Sequence, residues 1–119
     1  METREAILGF QYSEKMKSGL IIGTTLWDQL ASLKEGEEFS GGRKVLIWYL
    51  EGLLRESRIA EAVLGLGYYS DLERKVMELI GRIQMSQFQE VQRSFSEAIS
   101  LATTACQTAM TYLHERELV

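Results

Sequence analysis

Residues 98–113 read AISLATTACQTAMTYL, sixteen positions without a charge, a glycine or a proline. An exposed helix normally carries Lys or Glu every few residues, and none stands between Glu97 and His114. The stretch is also too polar and too short to cross a bilayer, which takes about 20 predominantly apolar residues. Its spacing is helical. Phe88, Val91, Phe95, Ala98, Ala102, Ala105, Ala109 and Tyr112 recur at intervals of three and four. Alanines on such a seam let two helix axes approach toward the lower end of the usual range of about 8–10 Å. Thr103, Thr104, Thr108 and Thr111, with Ser100 and Gln107, fill the other faces. Their hydroxyl groups can bond back to the helix backbone, so they tolerate burial better than charges do. Two readings follow: a central helix enclosed by its own bundle, or a helix with one side on a second copy.

Working back from this seam, the apolar phase slips. Leu72, Val76, Leu79 and Ile83 form one series, and the step from Ile83 to Phe88 is five. The helix therefore either breaks near residues 84–87 or continues with a stutter in its packing. Ser70 with Glu73, and more weakly Ser86 with Gln89, match the capping-box pattern. Unbroken from Asp71 to Arg116, such a helix would be roughly 70 Å long, too long for a domain of this size to cover alone.

Further upstream, Arg43–Leu66 reads as a helix whose polar side is one narrow stripe of Lys44, Glu51, Arg55 and Arg58. So narrow a stripe predicts cover on most other sides. Gly65 and Gly67 suit its C-terminal cap. The segment EGEEFSGG, 35–42, joins acids to a double glycine and reads as a solvent loop. Residues 3–34 carry Ala6, Phe10, Leu20, Thr24, Trp27 and Ala31 at helical spacing, in one piece or two, with Ser18-Gly19 the weak point. The expected fold is all-α: an antiparallel bundle of three long helices, four if the last one breaks. The 119 residues are read as a single helical-bundle domain, since that length suits one core without staples.

Composition narrows the function. Proline and asparagine are both absent, which disfavours a β chain rich in tight turns. Acids outnumber bases seventeen to thirteen and the net charge is −4. Scattered bases argue against nucleic acid as the main partner, because such binding rests on clustered Lys and Arg. The lone Cys106 fits a reducing, cytoplasmic setting. METREAILGF at the N-terminus is acidic where a secretory signal would be basic.

Candidate chemistry is sparse. Bundle di-iron sites need Glu-x-x-His pairs, and the only histidine, His114, has no Glu three residues before it. Cys106 and His114 stand about 12 Å apart along one helix axis and cannot meet there. Cys106 reads as a core thiol, and His114 as a cation suited to a helix C-terminus. Gly41-Gly42-Arg43-Lys44 could hold an anion at a helix start but lacks P-loop spacing. Trp48, Tyr49, Tyr68 and Tyr69 read as core rings that could also line a pocket. Met16 and His114 resemble, in order and rough position only, the axial pair of four-helix b-type cytochromes.

The function expected is a non-enzymatic interaction or assembly module without a cofactor, self-associating as a dimer or larger, with an unidentified further protein as a second candidate partner. Its partner surface is expected at Phe95, Ala98, Ala102, Ala105 and Ala109 with Leu20, Thr24 and Trp27. One alternative is a subunit of a nucleic-acid-handling complex whose phosphate patch is Arg43, Lys44, Arg55 and Arg58. Another is a small-ligand or haem-binding bundle.

Overall fold

The computed structural model describes residues 2–33, 36–64 and 69–117, and they form four helices: α1 (Thr3–Ala31), α2 (Glu37–Leu64), α3 (Ser70–Gln84) and α4 (Phe88–Glu115). No strand occurs among the described residues. α1 packs on α2 and α4, α3 packs on the same two, and the diagonal pairs stay apart. Side-chain contacts fix the directions. Leu30 lies level with Gly42 and Gly19 with Leu53, so α1 and α2 are antiparallel. Glu14 meets Cys106 and Gly23 meets Phe95, so α1 and α4 are antiparallel too. The result is an up-down-up-down bundle, 53 × 22 × 17 Å, with one apolar cluster drawing on all four helices.

The 98–113 stretch has a definite place in it. Phe95, Ala98, Ala102 and Ala109 are buried, in the α4 face that meets α1. Close approach is arranged from both sides. A Cβ on Gly23 would lie 3.0 Å from the Phe95 ring of α4, and toward α2 one on Gly19 would lie 2.6 Å from Leu53. The outer face, Ser100, Thr104, Gln107, Thr108 and Thr111, is open to water rather than enclosed. Thr108 there donates from its hydroxyl to the Thr104 carbonyl at 2.9 Å, the back-bonding its type allows.

The last segment breaks where the apolar phase slips. α3 ends at Gln84 and α4 begins at Phe88, with Ser86 between them at φ +54°. α1, by contrast, runs unbroken past Ser18-Gly19. Three local expectations are corrected. Within the segment expected as a loop, residues 37–42 are helical, because α2 already begins at Glu37. Phe39 is buried beside Phe88, ring centroids 6.0 Å apart, and Glu37 and Glu38 suit the positive end of the helix dipole. Gly42 lets Leu30 come close, since a Cβ there would lie 2.6 Å from Leu30 Cδ1. Neither capping box forms: Tyr69 and Gln87 hold the N-cap positions, without side-chain cap bonds. Ser86 instead accepts from Arg43 Nη1 at 2.8 Å. The expected cap at Gly65 and Gly67 lies outside the described residues.

The placement of Ala102 gives a test. Ala102→Glu would put an unpaired charge into the α1–α4 contact, at a cost of roughly 3–5 kcal/mol. Urea unfolding should show a loss of that size, equal at two protein concentrations. A loss confined to the lower concentration would place the seam between subunits.

Candidate functional site

The surface least explained by the fold lies on the outer side of α1 and α2. Val45 is 58% exposed, Trp48 62% and Ile22 53%, with Leu26 and Leu33 also open. By the register of Leu30 with Gly42 and Gly19 with Leu53, Ile22 and Leu26 stand at the level of Val45 and Trp48. Leu26, Leu33 and Val45 open onto one groove, and Trp48 and Ile22 flank it without lining it. The groove, of about 440 Å³, is lined chiefly by Leu26, Leu30, Leu33, Val45 and Leu46. Its polar lining is Gln29 and Ser32, with no charged side chain among the described residues. The five open apolar side chains present roughly 500 Å², the upper range of what a monomer normally shows. Other open apolar residues, such as Ile7, Ile21, Met77 and Met110, stand apart from this face.

This corrects the expectation that α2 is covered outside one polar stripe. Lys44, Arg55 and Arg58 are exposed and Glu51 half-buried, as a stripe requires. Beside them, however, Val45, Trp48 and Ile59 face out as well. Trp48 is not a core ring. Tyr49 is half-buried and donates to the Gly19 carbonyl at 2.7 Å; Tyr68 lies outside the described residues.

The residues first assigned to a partner surface are brought together, but inside the chain. Leu20 and Trp27 share one buried cluster with Phe95, Ala98 and Ala102. Trp27 stacks obliquely on Phe88, centroids 5.2 Å apart. Ala109 is buried as well, while Thr24 and Ala105 are half-buried. Thr24 Oγ1 and Trp27 Nε1 are buried without hydrogen-bond partners. Those two polar atoms apart, α1 of the same chain covers the seam, so a surface for another chain is sought elsewhere.

The anion patch does not assemble. Arg43 turns inward, its guanidinium 5.7 Å from the Phe39 ring and bonded to Ser86. Arg58 is engaged by Glu73 at 2.9 Å. Only Lys44 and Arg55 remain as outward, unpaired cations of the four among the described residues. Met16 and His114 are also kept apart. Glu14 is level with Cys106, which sets Met16 and His114 roughly 15 Å apart along the bundle. Among the described residues no group of His, Cys, Asp and Glu is arranged to hold a metal ion, and no helix is long and apolar enough to cross a membrane.

Two buried polar groups have defined roles. Tyr69, fully buried, donates to the Gly9 carbonyl at 3.1 Å and meets the Ser13 hydroxyl at 3.0 Å, while the Glu61 carboxylate accepts from its N–H at 2.8 Å. It ties the start of α3 to α1 and to the end of α2. The Cys106 thiol is pushed up from its ordinary 9.0 to about 11, first by burial and then by the adjoining Glu14 carboxylate. It is a poor nucleophile near neutrality.

No protein-family model, curated protein sequence or solved structure matches this chain.

Tyr69→Phe should cost about 1–2 kcal/mol in thermal or urea unfolding, because it strips a buried hydroxyl from two partners. Alkylation of Cys106 near pH 8 should be slow in the folded protein and fast in urea. The thiol favours the folded state fully below about pH 9, and that contribution fades as pH rises toward 11. Cys106→Ala should accordingly flatten the fall in stability across that window.

Proposed function

We propose that this chain is an interaction module that docks a partner on the α1–α2 face, its work being attachment rather than catalysis. The observation carrying this reading is Trp48, a large aromatic ring left open one turn beyond Val45 at the border of the apolar groove and the polar stripe of α2. Aromatic anchors of this kind dominate binding energy at interfaces. Magnitudes agree. Covering roughly 500 Å² of apolar surface yields about 12 kcal/mol gross at about 25 cal/mol per Å². Association costs about 4–15 kcal/mol, so the face needs a partner that buries comparable apolar surface of its own. Chance contacts with small polar molecules do not meet that requirement.

A photoreactive benzoylphenylalanine at Val45 tests the reading in cells expressing the chain. Irradiation should give a discrete cross-linked product, either with the same chain or with one other protein. The same probe at Thr104, on the hydroxyl-rich outer face of α4, should give none. A product from Thr104 and none from Val45 would return the surface to the C-terminal helix.

A further inference from the structure

Resting on that reading, we infer that the occupant of the face is a second copy of this chain, paired antiparallel along α2 about a two-fold axis midway between Val45 and Trp48. The outward stripe of α2 runs Glu38, Gly41, Val45, Trp48, Gly52 and Arg55, at spacings of three, four, three, four and three. That spacing is the same read in either direction. Turning the helix about the midpoint of Val45 and Trp48 therefore lays the stripe on itself in register.

The pairs formed are complementary in kind. Val45 meets Trp48 of the other copy, apolar on apolar. Gly41 meets Gly52, and both leave room for the helices to close. A Cβ at Gly41 would meet nothing within 4 Å, and one at Gly52 would meet only the far end of Arg55. Glu38 meets Arg55, opposite charges that join no ion pair within the chain among the described residues. A two-fold contact uses one patch twice, so each off-axis pair occurs twice. Lys44 and Glu51, also without ion pairs among the described residues, fall within reach of one another across the same axis.

Helix α1 obeys the same axis. Positions on α1 and α2 that lie level, Leu30 with Gly42 and Gly19 with Leu53, place Leu26 beside the midpoint of Val45 and Trp48. Leu26 would meet its own copy there, closing the groove over Val45. Val45, Trp48 and Leu26 together offer roughly 300 Å² of apolar surface from each copy, so the flanking glycines and charges must supply much of a contact at the small end of the range around the standard of about 800 Å² per partner.

Sedimentation equilibrium of the full chain over a dilution series tests the pairing. The wild type should be a dimer. Gly41→Leu adds a side chain into open space within the chain and replaces glycine with a better helix former. Helicity and melting of the monomer should hold or improve, while the dimer dissociation constant rises at least about tenfold as the helices are wedged apart. Glu38→Arg and Arg55→Glu should each weaken the dimer, and the double variant should return it to within about threefold of wild type, with the effect fading at high salt. A wild type monomeric at every concentration, or a dimer indifferent to both Gly41→Leu and the charge reversals, overturns the self-pairing. A cross-link from Val45 to a different protein, found with a monomeric wild type, would overturn the second copy while leaving the docking face in place.

Discussion

The contact between α1 and α4 sets the geometry of the rest. Two helices of 29 and 28 residues lie along each other, and at several seam positions they offer little side chain. Alanines at 98, 102 and 109 on one side, and glycine at 23 under the Phe95 ring on the other, remove the bulk that would hold the axes apart. Close axes lengthen the strip over which backbones and Cβ atoms touch, and dispersion gains accumulate over many such contacts although each is only about 0.1–0.2 kcal/mol. With this pair fixed, α2 settles against α1 and α3 against α4, and the two pack on each other to close the bundle. α3, only 15 residues long, is anchored at its start by Tyr69 reaching Gly9 and Ser13 and near its end by Arg43 bonding Ser86.

How much of this was legible in the sequence differs from helix to helix. The break between α3 and α4 is written as a five-residue step between Ile83 and Phe88, because a continuous helix cannot keep both series on one face. The α4 seam is likewise plain from its spacing. Leu20, Thr24 and Trp27 were grouped with Phe95 and the alanines as a surface for a partner, and Leu20, Trp27, Phe95, Ala98 and Ala102 do meet, but in one cluster within the chain. What spacing cannot specify is whether the complementary face belongs to the same chain or to a copy. That depends on helix direction and connection, which here bring α1 onto α4 within one molecule.

The start of α2 was missed for a different reason. Two glycines after two glutamates carry a strong local preference for a loop, and tertiary contact overrode it. Phe39 and Leu30 gain burial only if Gly41 and Gly42 are helical, with Gly42 admitting Leu30 to a distance that any Cβ would forbid. The helix dipole adds to this, because Glu37 and Glu38 fall on its positive end. The same extension carries Glu38 and Gly41 onto the α2 surface. Without those extra turns the outward stripe would begin at Val45 and would hold no acid to answer Arg55.

The exposed face on α1 and α2 was the least legible part, and its illegibility is instructive. VLIWYL has apolar residues on every side of the helix, so periodicity cannot say which side the chain covers. The structure resolves this without regard to size. The α4 side of the interior seam gives several positions to alanine, while Trp48 stands in water. Intrachain packing has no use for that ring where it stands: α2 directs Leu46, Leu50 and Leu53 to the core from its opposite side. Rotating α2 to hide Trp48 would withdraw those leucines, losing more apolar burial than it gained. The ring and its neighbours are thus held outward by the core itself, and covering them takes surface from outside the fold.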